Sequence, residues 1–218
     1  MRITTATWVA AAMVTVAIGL ALWAWITLPA GGGISFDYLG LDGQRHHGVS
    51  RLGLWLLPLI AGFLTIVLTF VSGLDRRGDL ERAAVVFDVT LIALAGLLLV
   101  CEAALVGRAM DAGFDVLRPV TVATGVTLLV IGNYLGKARR NVFVGLRTPW
   151  TLADAGVWDK THRYTGRGMF AAGLLLIVLG LAVRDTNLLA VSIAACAALP
   201  ILLGVIYSWR LYGRLPRA

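Results

Sequence analysis

Charged residues are scarce in this 218-residue sequence, where Asp, Glu, Lys and Arg together make up 14% of the positions. Hydrophobic residues make up 59%, and the mean hydropathy is +0.84. A soluble domain of this length carries more charge, because its surface must be covered by groups that water solvates. The composition therefore excludes an ordinary soluble domain and indicates an integral membrane protein.

Cysteine is nearly absent, since only Cys101 and Cys196 occur and both lie in apolar runs. Two such residues define neither a disulfide framework nor a metal-binding spacing, and we interpret them as small buried hydrophobic residues. His46 and His47 are adjacent, and neighbouring positions on a helix or strand do not face one ligand. We therefore predict no metal site and no bound cofactor.

Sequence patterns typical of enzymes are also missing. The chain has no recognisable nucleophile–base pair, no HExxH motif, no P-loop and no GxGxxG in a strand-to-helix context. We predict that the protein is not an enzyme and assign no catalytic residue.

What the sequence does have is long apolar runs. A membrane-spanning helix needs about 20 mostly apolar residues, and six runs qualify at residues 7–28, 53–71, 83–106, 119–135, 168–183 and 188–209. The first run is longer than the apolar core of a signal peptide, so we expect a retained helix. The prediction is an all-α polytopic membrane protein, with residues 1–218 forming a single integral domain of six transmembrane helices.

The distribution of Lys and Arg predicts the orientation of these helices. With a cytoplasmic N-terminus, 14 of the 19 basic residues fall on the cytoplasmic side and 5 on the outer side. Cytoplasmic loops of membrane proteins carry such an excess. We predict a multi-pass protein of the bacterial plasma membrane with both termini in the cytoplasm. Topology accounts for the net charge of +7, so we expect no direct binding of nucleic acid.

Two carboxylates fall within the third apolar run. An intramembrane carboxylate is costly and is a functional candidate by default. Asp88 lies near the inner boundary, where it could pair with Arg82 or Arg77 or serve a proton or ion path. Glu102 lies toward the outer end, and we expect it to be hydrated or paired with Arg108.

Residues 136–167 connect the fourth and fifth predicted spans and form the most patterned connection in the chain. A turn at Thr148-Pro149 is followed by Thr151, which can cap a helix with Asp154 as its capping-box partner. We expect a short amphipathic helix from about residue 152 that leads into the fifth span at the cytoplasmic interface.

Trp158, His162 and Gly166 line up at i, i+4 and i+8 on that helix. Two interpretations remain open at this point. The tryptophans and cations could hold the helix among lipid headgroups. Alternatively, Arg147, Trp150, Trp158 and His162 could form a folded cytoplasmic cap that binds a partner.

About 35 residues around this connection resemble the C-terminal signature of the SdpI family of bacterial multispanning membrane proteins. That resemblance implies immunity to a secreted peptide toxin, and signalling by recruitment of a cytoplasmic transcriptional repressor to the membrane. The matching positions, which the resemblance makes candidates for function, are Asn133, Gly136, Lys137, Arg139, Asn141, Gly145, Arg147, Thr148, Pro149, Trp150, Thr151, Trp158, Thr161, His162, Arg163 and Gly166.

The first outer loop, ISFDYLGLDGQRHHG, departs from the family pattern. Ser35 stands where many relatives have Pro, and Asp37 stands where they have His. If this loop senses a ligand in those relatives, we expect this chain to sense a different one or none.

Three functions remain in competition. The first is an immunity and signalling protein, whose partners would be the lipid bilayer, an extracellular peptide toxin and a cytoplasmic repressor. The second is a small-solute or ion transporter that uses the intramembrane carboxylate Asp88. The third is a lipid-binding or structural membrane protein whose basic loop holds anionic headgroups.

Overall fold

The computed structural model describes residues 4–29, 31–39, 44–73, 79–141 and 144–215. Seven α-helices occur in these ranges, together with a two-stranded hairpin and one short 3-10 turn. In chain order the elements are α1 (Thr5–Thr27), β1 (Ile34–Leu39), β2 (Arg45–Ser50), the 3-10 turn (Leu52–Trp55), α2 (Leu56–Gly73), α3 (Asp79–Met110), α4 (Leu117–Leu135), α5 (Pro149–Ala153), α6 (Ala155–Ala182) and α7 (Thr186–Tyr212).

Five helices are long and apolar enough to cross a membrane among the described residues: the spans cover Thr5–Thr27, Leu52–Ser72, Ala84–Met110, Ala155–Ala182 and Thr186–Tyr212. Their surfaces carry large apolar side chains in rows, such as Leu59, Phe63, Ile66 and Phe70 along α2. A water-soluble surface rarely carries patches of this extent. The fold is that of a multi-pass helical membrane protein whose apolar faces contact the lipid bilayer.

The predicted fourth span corresponds to α4, which is not among those five apolar helices. Its sequence includes Thr121, Thr124 and Thr127, and each hydroxyl donates to the carbonyl oxygen four residues earlier, at 2.6 to 2.9 Å. Such bonds satisfy the hydroxyls within the helix itself. The count of six spans therefore depends on α4 and stays a prediction.

The connection between α1 and α2 contains an element that an all-α prediction did not include. Strands β1 and β2 pair antiparallel, with Ile34 opposite Ser50 and Leu39 opposite Arg45. Ile34, Phe36 and Tyr38 alternate with smaller or polar residues, which is the period of a strand. In a strand of six residues this alternation repeats only three times, so it is a weak signal in the sequence.

Arg51 holds the base of this hairpin against the end of α1. Its guanidinium donates to the carbonyl oxygens of Leu28, at 2.6 Å, of Gly32, at 3.2 Å, and of Pro29. The same group lies 5.9 Å from the centre of the Trp25 ring. Carbonyl groups that the helix end leaves unpaired thus receive a charged donor.

The two carboxylates of α3 have different surroundings. Asp88 Oδ1 accepts a hydrogen bond from Thr4 Oγ1 at 3.2 Å, while the side chains of Arg77 and Arg82 lie outside the described residues. Glu102 is fully buried, and neither of its carboxyl oxygens has a hydrogen-bond partner in the described structure. The expectation that Glu102 is hydrated or paired with Arg108 is wrong, because the carboxyl group is fully buried and Arg108 donates to neither of its oxygens in the described structure.

Glycines determine how α4 packs against α6. A Cβ atom on Gly132 would lie 2.6 Å from the Gly166 carbonyl oxygen, and one on Gly173 would lie 2.5 Å from that of Gly125. Those distances are too short for any side chain, so the two backbones approach each other directly. The spacing of seven residues on both helices keeps the glycines on one face. This contact holds α4 and α6 together at the end where the signature segment begins.

Candidate functional site: the signature cap

The cap consists of the described residues between 136 and 167, and it lies where α4 ends, α6 begins and α7 ends. The predicted fifth span starts earlier than expected, because α6 runs without a break from Ala155 into the apolar region. The short helix α5 precedes it as a separate element. The connection between the fourth and fifth spans is therefore a folded unit with its own short helix.

Helix capping in this unit differs from the predicted arrangement. Thr148, and not Thr151, is the N-cap of α5, and Pro149 occupies the first turn. The Thr148 hydroxyl accepts from the Thr151 N–H at 3.3 Å, and the Thr151 hydroxyl accepts from the Thr148 N–H at 2.9 Å. Asp154 caps α6 instead, accepting from the Val157 N–H at 2.7 Å. Each of these N-cap side chains accepts a hydrogen bond from a backbone N–H group that the start of a helix leaves unpaired.

His162 is at the centre of the cap and is fully buried. Its Nε2 atom accepts a hydrogen bond from the Leu146 N–H at 3.0 Å, and its Nδ1 atom lies 2.8 Å from the Trp158 carbonyl oxygen. A nitrogen that accepts from a backbone N–H carries a lone pair, and one that faces a carbonyl oxygen carries the proton. The network therefore assigns the neutral ring with the proton on Nδ1.

Trp158 supports the histidine from one side and joins α6 to the segment that follows α4. Its ring stacks on the His162 ring, with centroids 4.0 Å apart and planes inclined by 21°. The indole Nε1–H donates to the Ala138 carbonyl oxygen at 2.7 Å. Trp158 has no exposed surface, whereas Trp8, Trp23 and Trp209 are more than half exposed. It is therefore a core residue of the cap and does not anchor the helix among headgroups.

Gly145 allows the loop to approach the histidine. Its φ is +115°, in a region that side chains rarely adopt, and a Cβ atom there would collide with His162 Nε2. The next residue, Leu146, then donates its N–H to that same nitrogen. The loop and the histidine can meet in this way only if residue 145 is glycine.

Asn141 and Trp150 fix the remaining parts of the loop by hydrogen bonds. The Asn141 amide donates to the Arg139 carbonyl at 2.8 Å and accepts from the Val144 N–H at 2.7 Å. Trp150 Nε1 donates to the Ser208 hydroxyl on α7 at 2.5 Å. The cap is thus hydrogen-bonded to α7 as well as within itself.

The structure separates the predicted site residues by exposure. One group is buried and forms the interior of the cap: Asn141, Thr151, Trp158, Thr161, His162 and Gly166. Another is exposed on its surface: Asn133, Lys137, Arg139, Gly145, Arg147, Pro149 and Arg163. Gly136, Thr148 and Trp150 are partly buried, and Asp88 lies apart on α3. A partner could reach only the exposed and partly buried groups, so Trp158 and His162 shape the cap rather than contact that partner.

Sequence reasoning missed three contributors to this region. They are the backbone N–H of Leu146, the hydroxyl of Ser208 and the cation Arg167, which faces Asn133 and Lys137 across a groove between α4 and α6. Of the three, only Arg167 could have been identified from the sequence, because it lies four residues after Arg163 and therefore on the same face of the helix.

No group of three or more His, Cys, Asp or Glu that could hold a metal ion occurs among the described residues.

Comparison with known proteins shows similarity to one family. The model of the SdpI/YfhL protein family matches residues 137–208, which contain the cap, α6 and most of α7. This segment of the chain is similar to the SdpI/YfhL family, as the resemblance of the signature residues implied. The immunity protein SdpI of Bacillus subtilis (strain 168) is 24% identical over 128 residues. That alignment covers 59% of this chain and 60% of the relative, so the chain spans about three-fifths of the relative's length. No solved structure matches the chain significantly.

Proposed function

We propose that this protein confers immunity to a secreted, membrane-active peptide toxin and signals toxin exposure by recruiting a cytoplasmic repressor. The observation that carries the proposal is the cap itself. The segment with the family pattern forms a rigid unit whose interior is hydrogen-bonded through His162 and whose surface presents Arg139 and Arg147. A rigid scaffold that displays charged groups is suited to binding a protein partner.

The proposal places the protein in the bacterial plasma membrane with both termini and the cap in the cytoplasm. A secreted toxin would then arrive at the opposite end, where the β1–β2 hairpin connects α1 to α2 and β1 contacts α3. The hairpin departs from the family pattern at Ser35 and Asp37. We therefore expect the toxin to differ from any that relatives with the family pattern in this loop would resist.

A gene deletion in the native host tests the proposal. The deletion strain is challenged with membrane-active peptides from its own species and from neighbouring species, and the full-length gene is then restored. We expect deletion to lower tolerance to at least one peptide and restoration to recover it. Unchanged tolerance to every peptide would reject the proposal.

A reporter for repressor-controlled transcription separates signalling from immunity. Arg139→Gln combined with Arg147→Gln removes two exposed cations from the cap surface. Arg210→Gln combined with Arg214→Gln is the matched control, because these cations are equally exposed near the end of α7. If the cap recruits the repressor, the cap variant loses the reporter response to toxin while the control variant keeps it.

A small-solute or ion transporter is the second candidate, and one observation favours it. Glu102 is a fully buried carboxyl within α3 whose oxygens have no partner in the described structure. Such a group within a span is a default candidate for a proton or ion path. Asp88 is the weaker choice, because it already accepts a hydrogen bond from Thr4. Loss of ion flux in Glu102→Gln, with toxin tolerance unchanged, would favour transport over immunity.

A further inference from the structure

The groove between α4 and α6, of about 440 Å³, lies beside the cap on the outside of the contact between these helices. Its floor is formed by Gly132 and Gly166, whose close backbone approach leaves no side chain to fill it. Its walls carry two pairs of polar side chains at i and i+4 spacing. Asn133 and Lys137 come from α4, and Arg163 and Arg167 come from α6.

This groove is positively charged and lacks a carboxylate among its lining residues. Lys137, Arg163 and Arg167 are all exposed, and none of the three makes a hydrogen bond or an ion pair within the part of the chain that the structure describes. Three cations facing one another repel, since like charges at neighbouring positions destabilise a helix surface. An anion bound between them would remove that repulsion and accept hydrogen bonds from the guanidinium groups.

The groove lies at one end of α6, a helix long and apolar enough to cross a membrane, and the ends of such a helix lie near the headgroups. It is at the cap end of α4 and α6, and Phe170 continues its lining toward the apolar part of α6. Basic pockets between transmembrane helices on the cytoplasmic side suit anionic lipid headgroups. The charge and the position therefore both match a phospholipid that lies along the bundle.

An apolar groove on the next face of α4 could take the rest of such a lipid. It has a volume of about 900 Å³ and runs between α3 and α4 from Arg118 to Tyr134, with Val100, Val122 and Val126 among its lining residues. The two grooves meet at one contact, since Lys137 Nζ lies 4.4 Å from the centre of the Tyr134 ring. A molecule with a phosphate at Lys137 could thus extend a hydrocarbon chain along the α3–α4 surface. A free phosphate has no hydrocarbon chain to occupy the apolar groove between α3 and α4.

We propose that the groove formed by Asn133, Lys137, Arg163 and Arg167 binds the headgroup phosphate of an anionic membrane phospholipid. The inference is independent of immunity, because the argument uses only charge, shape and depth in the membrane. Arg163 and Arg167 donate to the phosphate oxygens, Lys137 supplies a third positive charge, and Asn133 offers its amide N–H groups.

Native mass spectrometry of the full-length protein, released from detergent micelles, tests the proposal directly. The micelles contain phosphatidylglycerol and phosphatidylcholine in equal amounts. We expect wild-type protein to retain phosphatidylglycerol in preference to phosphatidylcholine. In the variant Arg163→Gln/Arg167→Gln, the ratio of bound phosphatidylglycerol to bound phosphatidylcholine should fall by on the order of tenfold or more. Each cation near a membrane surface increases the affinity for an anionic lipid about fivefold.

The control variant Arg210→Gln/Arg214→Gln removes the same charge from the same end of the bundle, outside the groove. We expect it to retain the wild-type preference. If the groove variant and the control behave alike, or if wild-type protein shows no preference for phosphatidylglycerol, the proposal is wrong.

A thermal-unfolding arm distinguishes a lipid from a soluble anion. Phosphatidylglycerol, glycerol phosphate and inorganic phosphate are added separately to wild-type protein in neutral detergent. We expect phosphatidylglycerol alone to raise the melting temperature, and the groove variant to lose this shift. An equal rise with glycerol phosphate or inorganic phosphate would overturn the assignment to a lipid. The fold of the groove variant is intact if the variant melts at the wild-type temperature in the absence of lipid. If its melting temperature is lower, Arg163→Lys is used as a milder second variant.

Discussion

The backbone N–H of Leu146 donates a hydrogen bond to Nε2 of His162 at 3.0 Å, across a separation of 16 residues in the chain. This bond joins the loop after α4 to the first turns of α6, and it fixes the ring tautomer at the centre of the cap. Four further hydrogen bonds that involve Ala138, Asn141, Thr151 and Ser208 hold the same unit together. The cap is therefore a structural element in its own right, and its stability can be tested one bond at a time.

Gly145→Ala should destabilise the cap strongly. The new Cβ atom would collide with His162 Nε2, and the residue would be strained at a φ of +115°. Backbone strain together with the lost hydrogen bond should lower the free energy of unfolding by about 2–4 kcal/mol. Thermal or denaturant unfolding in detergent measures this change.

Gly19→Ala serves as the control for that experiment, because nothing lies within 4 Å of a Cβ atom at this helical position. It should be neutral or slightly stabilising, since alanine restricts the unfolded chain more than glycine does. Equal stability of the two variants would contradict the role assigned to Gly145.

Gly173→Ala tests the direct contact between α4 and α6 away from the cap. Its Cβ atom would lie 2.5 Å from the Gly125 carbonyl oxygen, which is backbone and cannot move aside without separating the helices. Overpacking of this kind costs about 1–3 kcal/mol. Unfolding by sodium dodecyl sulfate should therefore begin at a lower detergent fraction. Gly96→Ala is the comparison, since its nearest neighbour is the flexible end of Met13 at 3.9 Å, and it should unfold as the wild type does.

The sequence allowed the helical membrane fold and the similarity to the SdpI family to be predicted, because both depend on features that are local along the chain. Apolar runs of about 20 residues indicate spans whatever their partners are. The signature residues from Asn133 to Gly166 occur within one continuous segment, and the family match at residues 137–208 confirmed the resemblance. The spacing of Trp158, His162 and Gly166 correctly predicted that they share a helix face.

What the sequence did not reveal depends on contacts between distant segments. The burial of His162 requires the loop at Gly145 to fold back over it, and no sequence feature near residue 162 indicates that contact. The solvent-free position of Glu102 likewise results from the packing of other helices around α3. The hairpin was missed because two short strands give a weak periodic pattern inside a loop that was expected to be irregular.

Trp158→Phe should destabilise the cap without altering insertion into the membrane. Phenylalanine keeps the apolar ring but loses the Nε1–H bond to the Ala138 carbonyl oxygen, which would then be buried without its donor. The expected cost is about 1–3 kcal/mol in free energy of unfolding. Trp209→Phe removes an exposed ring on α7 and should have no measurable effect. If both variants lose stability equally, Trp158 would be acting as a membrane anchor like Trp209.

Glu102→Leu should make the protein more stable. The wild-type carboxyl is fully buried in α3 without a hydrogen-bond partner in the described structure, and desolvating such a group costs free energy that no contact returns. Leucine has a similar volume and no polar atoms, so we expect a gain of about 1–3 kcal/mol in the free energy of unfolding. Ala103→Leu, at the exposed neighbouring position, is the control and should leave stability unchanged. A melting temperature for Glu102→Leu below that of the wild type would mean that the carboxyl has a stabilising partner. A gain in stability accompanied by loss of toxin tolerance or ion flux would mean that the buried carboxyl is retained for function at the expense of stability.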